Sequence, residues 1–306
     1  MGDMLEPLAA SGDTPTIGTA DESRTESRLA DVAVIADGSE HDETSLAYGE
    51  RIANSFGAHL AVLYTNYVQL GALPLGPGST FLLSQLRENG KAAGDKVEAA
   101  LRSRLDALSG TWELRRAEGE IGDLLAAAIT MAGVSDAVIA SGRSALSAPG
   151  REIMEALLFK GSAPVLVVPD ETAVLSKVNG FAKSVVIGWR DTPECARAIA
   201  ASIPFLKRAS TATLVNVAES NADEERRLVP MADMARHLSR HGIAVEVRHL
   251  AVWHNPAEAL LNEAKMIGAD MLVLGAYGHS RVYETVFGGV TREFLRSTPL
   301  PVLFSR

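Results

Sequence analysis

The sequence has the length and composition of an ordinary globular protein. Its 306 residues are 47% hydrophobic and 22% charged, which is enough apolar material to bury the core of one large or two average domains. The formal net charge of −9 argues against a nucleic-acid-binding surface, because neutralising phosphates requires a clustered excess of lysine and arginine. The single cysteine, Cys195, excludes an internal disulfide framework and a multi-cysteine metal site.

The first residues and one long uncharged run bear on where the protein acts. Residues 1–28 are acidic and lack the basic flank and apolar stretch of a signal peptide, so we expect a disordered acidic tail. From Ile52 to Leu86 no charged residue occurs, but polar residues and prolines interrupt the run, and we expect no membrane span. With so little cysteine, this pattern predicts a cytoplasmic protein.

Short apolar runs alternate with amphipathic stretches along the whole chain. This pattern is typical of βαβ units around a parallel sheet and predicts an α/β fold. In the first half, strands are predicted at 32–36, 59–64, 112–116, 136–140 and 164–168. In the second half, they are predicted at 184–188, 211–217, 244–249, 270–274 and 301–304.

The two halves repeat one another, which predicts two tandem, doubly wound, five-stranded Rossmann-like domains. Asp136 and Asp270 stand before the fourth strand of each half, and Pro164 and Pro301 stand before the last. The predicted domains are 29–169 and 182–306, joined by a linker at 170–181.

A glycine-rich loop follows the fourth predicted strand of the second half. Two residues separate Gly275 from Gly278, and nine separate Gly278 from Gly288, before a helix predicted to begin near Gly289. Glycines let a backbone approach a phosphate closely, and a helix N-terminus adds partial positive charge. The spacing therefore allows an anion-binding loop, although glycines that merely turn a long loop would give the same pattern.

The span from about residue 30 to 306 resembles a tandem universal stress protein. ATP-binding members of that family carry this glycine spacing after the fourth strand. The resemblance implies a non-enzymatic stress-response protein that binds ATP or another adenine nucleotide in its second domain, with no catalytic residues. The residues that it implies for the nucleotide site are Gly275, Gly278, His279, Gly288, Gly289, Val290, Thr291, Val217 and Arg190.

The chain departs from the family pattern in both halves. Gly289 replaces the usual Ser or Thr, which removes one hydroxyl donor and about 1 kcal/mol of binding. Arg190 stands where ATP-binding members have an Asp, and a guanidinium accepts no hydrogen bonds. The first half keeps this residue as Asp37, but its loop from Ser141 to Gly150 is four residues shorter than that from Gly275 to Gly288. We therefore expect Asp37 to be a turn and helix-cap residue.

Two other functions are compatible with the sequence. The nucleotide sites could both have decayed, leaving a scaffold protein that binds a partner or apolar ligand through its apolar 66–83 segment. A weak nucleotide hydrolase would need a general base, for which His279 is the candidate.

Three further histidines are candidates for a functional site. His237 and His241 have a spacing that could hold a metal, but no third ligand is placed beside them, so we predict no metal site. His254 lies in a loop that could reach the carboxyl ends of the strands.

In the family, domains commonly pair through their last strands; the resemblance thus implies an intrachain pseudo-dimer of the two domains and further homodimerisation.

Overall fold

The computed structural model describes residues 29–69, 79–146, 148–169, 181–218, 224–251, 253, 255–276, 289–296 and 299–306. The first half contains the strands β1 (Asp31–Ala36), β2 (His59–Tyr67), β3 (Trp112–Gly119), β4 (Ala137–Ser141) and β5 (Val165–Val168). Its helices are α1 (Asp42–Phe56), α2 (Ser79–Asp106), α3 (Ile121–Gly133) and α4 (Gly150–Lys160).

The second half repeats this order. Its strands are β6 (Ser184–Gly188), β7 (Thr211–Val217), β8 (Val245–Leu250), β9 (Met271–Gly275) and β10 (Val302–Ser305). Its helices are α5 (Pro193–Leu206), α6 (Glu224–Arg240), α7 (Pro256–Met266) and α8 (Gly289–Arg296). Each predicted strand is present to within one residue at its start. The central strands are short apolar runs buried on both faces, which give a strong signal, whereas the outer strands β3 and β8 are only partly buried. Among the residues that the structure describes, no helix is both long and apolar enough to cross a bilayer.

The strands of the described chain form a single sheet of ten, in the order β3-β2-β1-β4-β5-β10-β9-β6-β7-β8. Within each half the strands are parallel, and strand order reverses between β1 and β4 and again between β6 and β9. The predicted α/β class and doubly wound order are therefore confirmed. Each reversal leaves a crevice beyond the carboxyl ends of the strands, which we call a switch point.

The two half-sheets join through their last strands. β10 pairs with β5 in the antiparallel direction, with Leu303 opposite Leu166 and Phe304 opposite Val165. This pairing gives each short apolar strand a second neighbour instead of an open edge. Because the pairing is antiparallel, the strands of the two halves run in opposite directions. The carboxyl ends of the strands, and with them the two switch points, therefore lie on opposite sides of the common sheet.

Helices cover the sheet on both faces. The apolar residues of α1, α2, α5 and α6 pack on one face, and those of α3, α4, α7 and α8 on the other. Each of the two hydrophobic clusters contains residues of both halves. The joined sheet is therefore the middle layer of one α/β/α arrangement.

One repeated feature of the sequence has a direct structural reason. The Asp136 carboxylate accepts hydrogen bonds from the backbone N–H groups of Ala30 and Asp31 at 2.6 and 3.0 Å. Asp270 does the same for Lys183 and Ser184 in the second half. Each aspartate thus fixes the start of the first strand of its own half.

The junction of the half-sheets predicts a large mutational effect. Leu303 is fully buried, so Leu303→Ala should lower the free energy of unfolding by about 2–5 kcal/mol, measured by chemical denaturation with circular dichroism. Leu82→Ala is the control, because Leu82 is 43% exposed and should change stability by no more than about 0.5 kcal/mol. Equal losses at the two positions would contradict a packed junction.

Candidate functional site

The switch point of the first half is occupied by the chain's own loop. Asp37 follows β1, and after β4 the chain forms a 3₁₀ turn at Ser144–Leu146 before α4 begins. The Ser144 hydroxyl donates to Asp37 Oδ2 at 2.8 Å, and the backbone N–H of Ser39 donates to Asp37 Oδ1 at 2.9 Å. Both carboxylate oxygens of Asp37 therefore have partners within the protein.

The prediction for Asp37 is confirmed in one part and wrong in the other. Asp37 forms the predicted turn through its bond to Ser39. It does not cap α1, whose N-cap is His41, without a side-chain cap hydrogen bond. The reason is that the Asp37 side chain faces its own turn and Ser144, four residues too early and on the wrong side to reach the first helical N–H groups.

Little space is left in this first crevice. A cavity of about 20 Å³ lies among Asp37, Ser141, Ser144 and the start of α4, which is room for about one water molecule. A Cβ atom added to Gly150 would lie 2.0 Å from the carbonyl oxygen of Ser144, so the two backbone segments are in direct contact. Among the described residues, the Ser144–Leu146 turn and the start of α4 therefore fill most of the crevice beside Asp37.

A buried carboxyl group, which sequence analysis missed, supports the same turn. Asp42, the first residue of α1, is 7% exposed and accepts hydrogen bonds from the backbone N–H groups of Asp37 and Gly38 at 3.0 and 2.8 Å. Burial, and secondarily the neighbouring Asp37 charge, raises the pKa of Asp42 to about 7. Asp42 is therefore the residue that holds the turn after β1, and it titrates near neutral pH.

The switch point of the second half brings together several predicted site residues. In the sheet register, Gly188 of β6 lies opposite Leu274 of β9 and Val215 of β7. Gly275 follows Leu274 by one residue, Arg190 follows Gly188 by two, and Val217 follows Val215 by two. The three residues therefore lie together at the carboxyl ends of the strands. Arg190 is exposed, and its carbonyl accepts a hydrogen bond from the Thr192 N–H at 2.8 Å.

A polar side chain on the neighbouring strand holds each of the two strand exits. Asn216 donates to the carbonyl of Trp189 at 3.1 Å, directly before Arg190, and both residues are buried. In the first half, Thr65 donates to the carbonyl of Ala36 at 3.0 Å, directly before Asp37. A polar residue within an apolar strand was the only signal for these anchors in the sequence.

Gly275 has a packing role besides the one predicted. A Cβ atom at this position would lie 2.6 Å from the backbone nitrogen of Cys195 and 2.8 Å from the carbonyl carbon of Glu194. Both atoms belong to the first turn of α5, which Thr192 caps by accepting from the Cys195 N–H at 3.4 Å. Glycine at 275 therefore lets β9 end directly against the N-terminus of α5.

Helix α8 begins at Gly289, as predicted. Val290 is half-buried and Thr291 is 4% exposed, because α8 packs through Phe294 and Leu295 into the core. Gly278, His279 and Gly288 lie outside the described residues, as does His254.

The pair of histidines considered as metal ligands lies at the end of α6. His237 and His241 lie in the last turn of α6 and just beyond it, with ring centroids 4.7 Å apart in an edge-to-face arrangement. Within the described residues, no group of three histidine, cysteine, aspartate or glutamate side chains is placed to bind a metal ion.

The fold and the two switch points define an α/β protein of the doubly wound type, with the order of elements repeated in its two halves. Residues 182–306 match the model of the universal stress protein family. Over 302 residues the chain is 25% identical to a universal stress protein of Synechocystis, covering 91% of this chain and 100% of that protein. The second half of the chain thus matches the universal stress protein family, and the chain as a whole is similar to one of its members.

Two solved structures share the fold over most of the chain. A universal stress protein from Archaeoglobus fulgidus superposes with a TM-score of 0.65 at 16% identity, covering 90% of this chain and 96% of that one. A protein of unknown function from Pseudomonas aeruginosa gives a TM-score of 0.55 at 12% identity, covering 90% of this chain and 92% of its own. These similarities extend the fold assignment to the first half.

The contact of Gly275 with α5 can be tested by adding one methyl group. Gly275→Ala should lower the free energy of unfolding by about 1–3 kcal/mol, because the new Cβ would overlap the α5 backbone. Gly122→Ala in α3 is the control, since no atom lies within 4 Å of its Cβ position, and it should leave stability unchanged or raise it by up to about 1 kcal/mol. Equal stability of Gly275→Ala and wild type in urea denaturation would contradict the close approach.

Asp42 should make stability fall as pH rises. Its pKa is raised in the folded state, so between about pH 4 and pH 7 the folded protein retains a proton that the unfolded chain has released. The free energy of unfolding should therefore decrease across this window, on the order of 1–4 kcal/mol. Denaturation of the wild type and of Asp42→Asn at several pH values measures the slope, which the variant should lose. Asp106→Asn at the exposed end of α2 should keep it, and a wild-type slope in Asp42→Asn would contradict the assignment.

Proposed function

We propose that this protein is a nucleotide-linked stress-response regulator whose second domain, residues 182–306, binds an adenine nucleotide. The observation that carries the proposal is the asymmetry between the two switch points. The first is filled by the Ser144–Leu146 turn and leaves about 20 Å³. The second combines Gly275, Val217 and Arg190 at one edge of the sheet, with α8 starting beyond it at Gly289.

The proposed arrangement assigns a role to each part of the second switch point. The phosphates would lie along the loop of Gly275, Gly278 and Gly288 and at the N-terminus of α8, where N–H groups and the helix dipole favour negative charge. The base would pack against Val217. Arg190 supplies donors where the family's Asp supplies acceptors, so it would bind ring nitrogens or ribose oxygens that accept hydrogen bonds.

A contact between the halves connects the proposed nucleotide site to the first domain. Helix α8 lies against the Ser144–Leu146 turn of the first domain. That turn is bonded through Ser144 to Asp37 and so to the exit of β1. A nucleotide that fixes the start of α8 would therefore act on the closed first switch point, which suits a regulator better than an enzyme.

The wider assignment follows from the same proposal. The first domain, residues 29–169, would be a degenerate copy that serves as an internal partner, joined through the 170–181 linker in an intrachain pseudo-dimer. The protein would be cytoplasmic, would catalyse no reaction, and would form homodimers of this two-domain unit.

An exposed apolar patch favours a second candidate function, a scaffold protein that binds a partner. Phe81 is 71% exposed and Leu82 43%, both at the start of α2, while Tyr67 at the end of β2 is 36% exposed. All three residues belong to the apolar 66–83 segment, and exposed apolar patches commonly mark contacts with other proteins.

Nucleotide binding is tested by calorimetric titration with ATP, together with mass spectrometry of small molecules released on denaturation. We expect adenine nucleotide to co-purify, and Gly278→Asp to weaken ATP binding roughly 10- to 100-fold, because the new carboxylate repels the phosphates and fills the loop. Gly122→Asp adds the same side chain to an open position in α3 and should bind ATP like the wild type.

Two results would overturn the proposal. Absence of released nucleotide together with no heat at millimolar ATP would leave the scaffold function as the better description. ATP binding of equal strength in wild type and Gly278→Asp would place the nucleotide somewhere other than the glycine loop.

A further inference from the structure

A second concave site lies on the face of the sheet covered by α1 and α5, away from both switch points. It is a pocket of about 170 Å³ where the ends of these two helices meet the segment 181–183 that leads into β6. Its lining combines three phenylalanines with three cationic side chains: Arg51, Ile52, Ser55, Phe56, Phe181, Ala182, Lys183, Phe205 and Arg208.

The floor of this pocket is aromatic and rigid. Phe205 contacts both Phe56 and Phe181 edge to face, with ring centroids 5.5 and 6.0 Å apart, and Phe181 contacts Tyr48 at 5.4 Å. Phe56 and Phe205 are 8% and 2% exposed. The floor is therefore a packed aromatic cluster drawn from both halves of the chain, and Phe181 is its partly exposed member.

The rim of the pocket is positively charged, in a protein whose net charge is −9. Arg51, Lys183 and Arg208 are exposed, and the Arg208 guanidinium lies 4.0 Å above the ring of Phe56 while donating to the carbonyl of Ser55. Asp270, the nearby acid, is engaged by the backbone N–H groups of Lys183 and Ser184. Within the described residues, no carboxylate forms an ion pair with the Lys183 ammonium.

The segment that completes the pocket is backbone-strained. Ala182 has a φ of 59°, in the left-handed region that costs a residue with a Cβ roughly 1 kcal/mol or more. This conformation places Phe181 in the aromatic cluster while Lys183 stays at the exposed rim. Strain of this kind persists where the surrounding packing enforces it, and it is common at ligand-binding sites.

We propose that this pocket binds a small organic anion with one aromatic ring, such as an aryl carboxylate. The volume fits, because a cavity of about 150 Å³ lined by apolar side chains is known to hold benzene. The ring would pack against Phe181, the partly exposed member of the aromatic cluster, and the carboxylate would lie between Lys183 and Arg208. Because the ligand would contact α1, α5 and the entry to β6, it would bind the two domains together, independently of any nucleotide.

The experiment is a titration of the full chain with para-fluorobenzoate, followed by fluorine NMR and calorimetry. We expect saturable binding, at least about tenfold weaker in Lys183→Glu and about three- to tenfold weaker in Lys183→Gln, since each removes the cation. Lys265→Glu makes the same charge change on the exposed face of α7 and should bind within about twofold of wild type. The neutral amide, para-fluorobenzamide, should bind at least about tenfold more weakly than the carboxylate.

Three outcomes would overturn this proposal. They are no saturable binding by the wild type, equal binding by Lys183→Glu and wild type, and equal binding of the amide and the carboxylate. If Lys183→Glu does not fold, equal binding by Lys183→Gln and wild type would overturn the proposal in its place. Arg208 is unsuitable as the test position, because its bond to the Ser55 carbonyl also supports the end of α1.

Discussion

The antiparallel pairing of β5 with β10 is the interaction on which the rest of the molecule depends. A parallel five-stranded half-sheet of this order ends on a short, fully apolar strand, and Val165–Val168 alone would present unpaired backbone groups and buried-type side chains at an open edge. Pairing with Val302–Ser305 satisfies both edges at once. The same pairing brings α1 and α5 together on one face, where their aromatic side chains interlock, and brings α8 against the first-domain turn on the other face. The pocket between α1 and α5 and the contact of α8 with the Ser144–Leu146 turn therefore both depend on this junction.

Within that frame the two copies of the fold have kept their structural residues and diverged in their loops. Asp136 and Asp270 fix the first strand of each half in the same way, and Thr65 and Asn216 each hold a strand exit from the neighbouring strand. These contacts depend only on the sheet, so they survive in both halves. The loop after the fourth strand is free to change because it lies outside the sheet. Its shortening in the first half let Ser144 reach Asp37, and this replaces an open crevice with internal hydrogen bonds.

The sequence was sufficient to predict the strands, the α/β class and the start of α8, because those features follow from apolar periodicity and from the repeat. Tertiary contacts were harder to predict. Nothing in the pattern showed that Gly275 touches the first turn of α5, since that contact joins positions about 80 residues apart. Asp42 stands five residues from Asp37 and resembles an ordinary acidic residue in a first helical turn, so its burial and raised pKa emerge only from packing. The pocket between α1 and α5 was also unpredictable, because its wall combines residues that are far apart along the chain.

The contacts between the halves suggest why a copy with a closed switch point would be retained. The turn at Ser144–Leu146 is held by the bond from Ser144 to Asp37 and by its contact with Gly150, and α8 rests against it. Asp42 in turn holds the backbone of Asp37. A support at this position restricts where α8 can lie, and α8 is the helix whose N-terminus would face a nucleotide. Closure of one site and organisation of the other are thus compatible consequences of a single change in loop length, acting through the fixed geometry of the joined sheet.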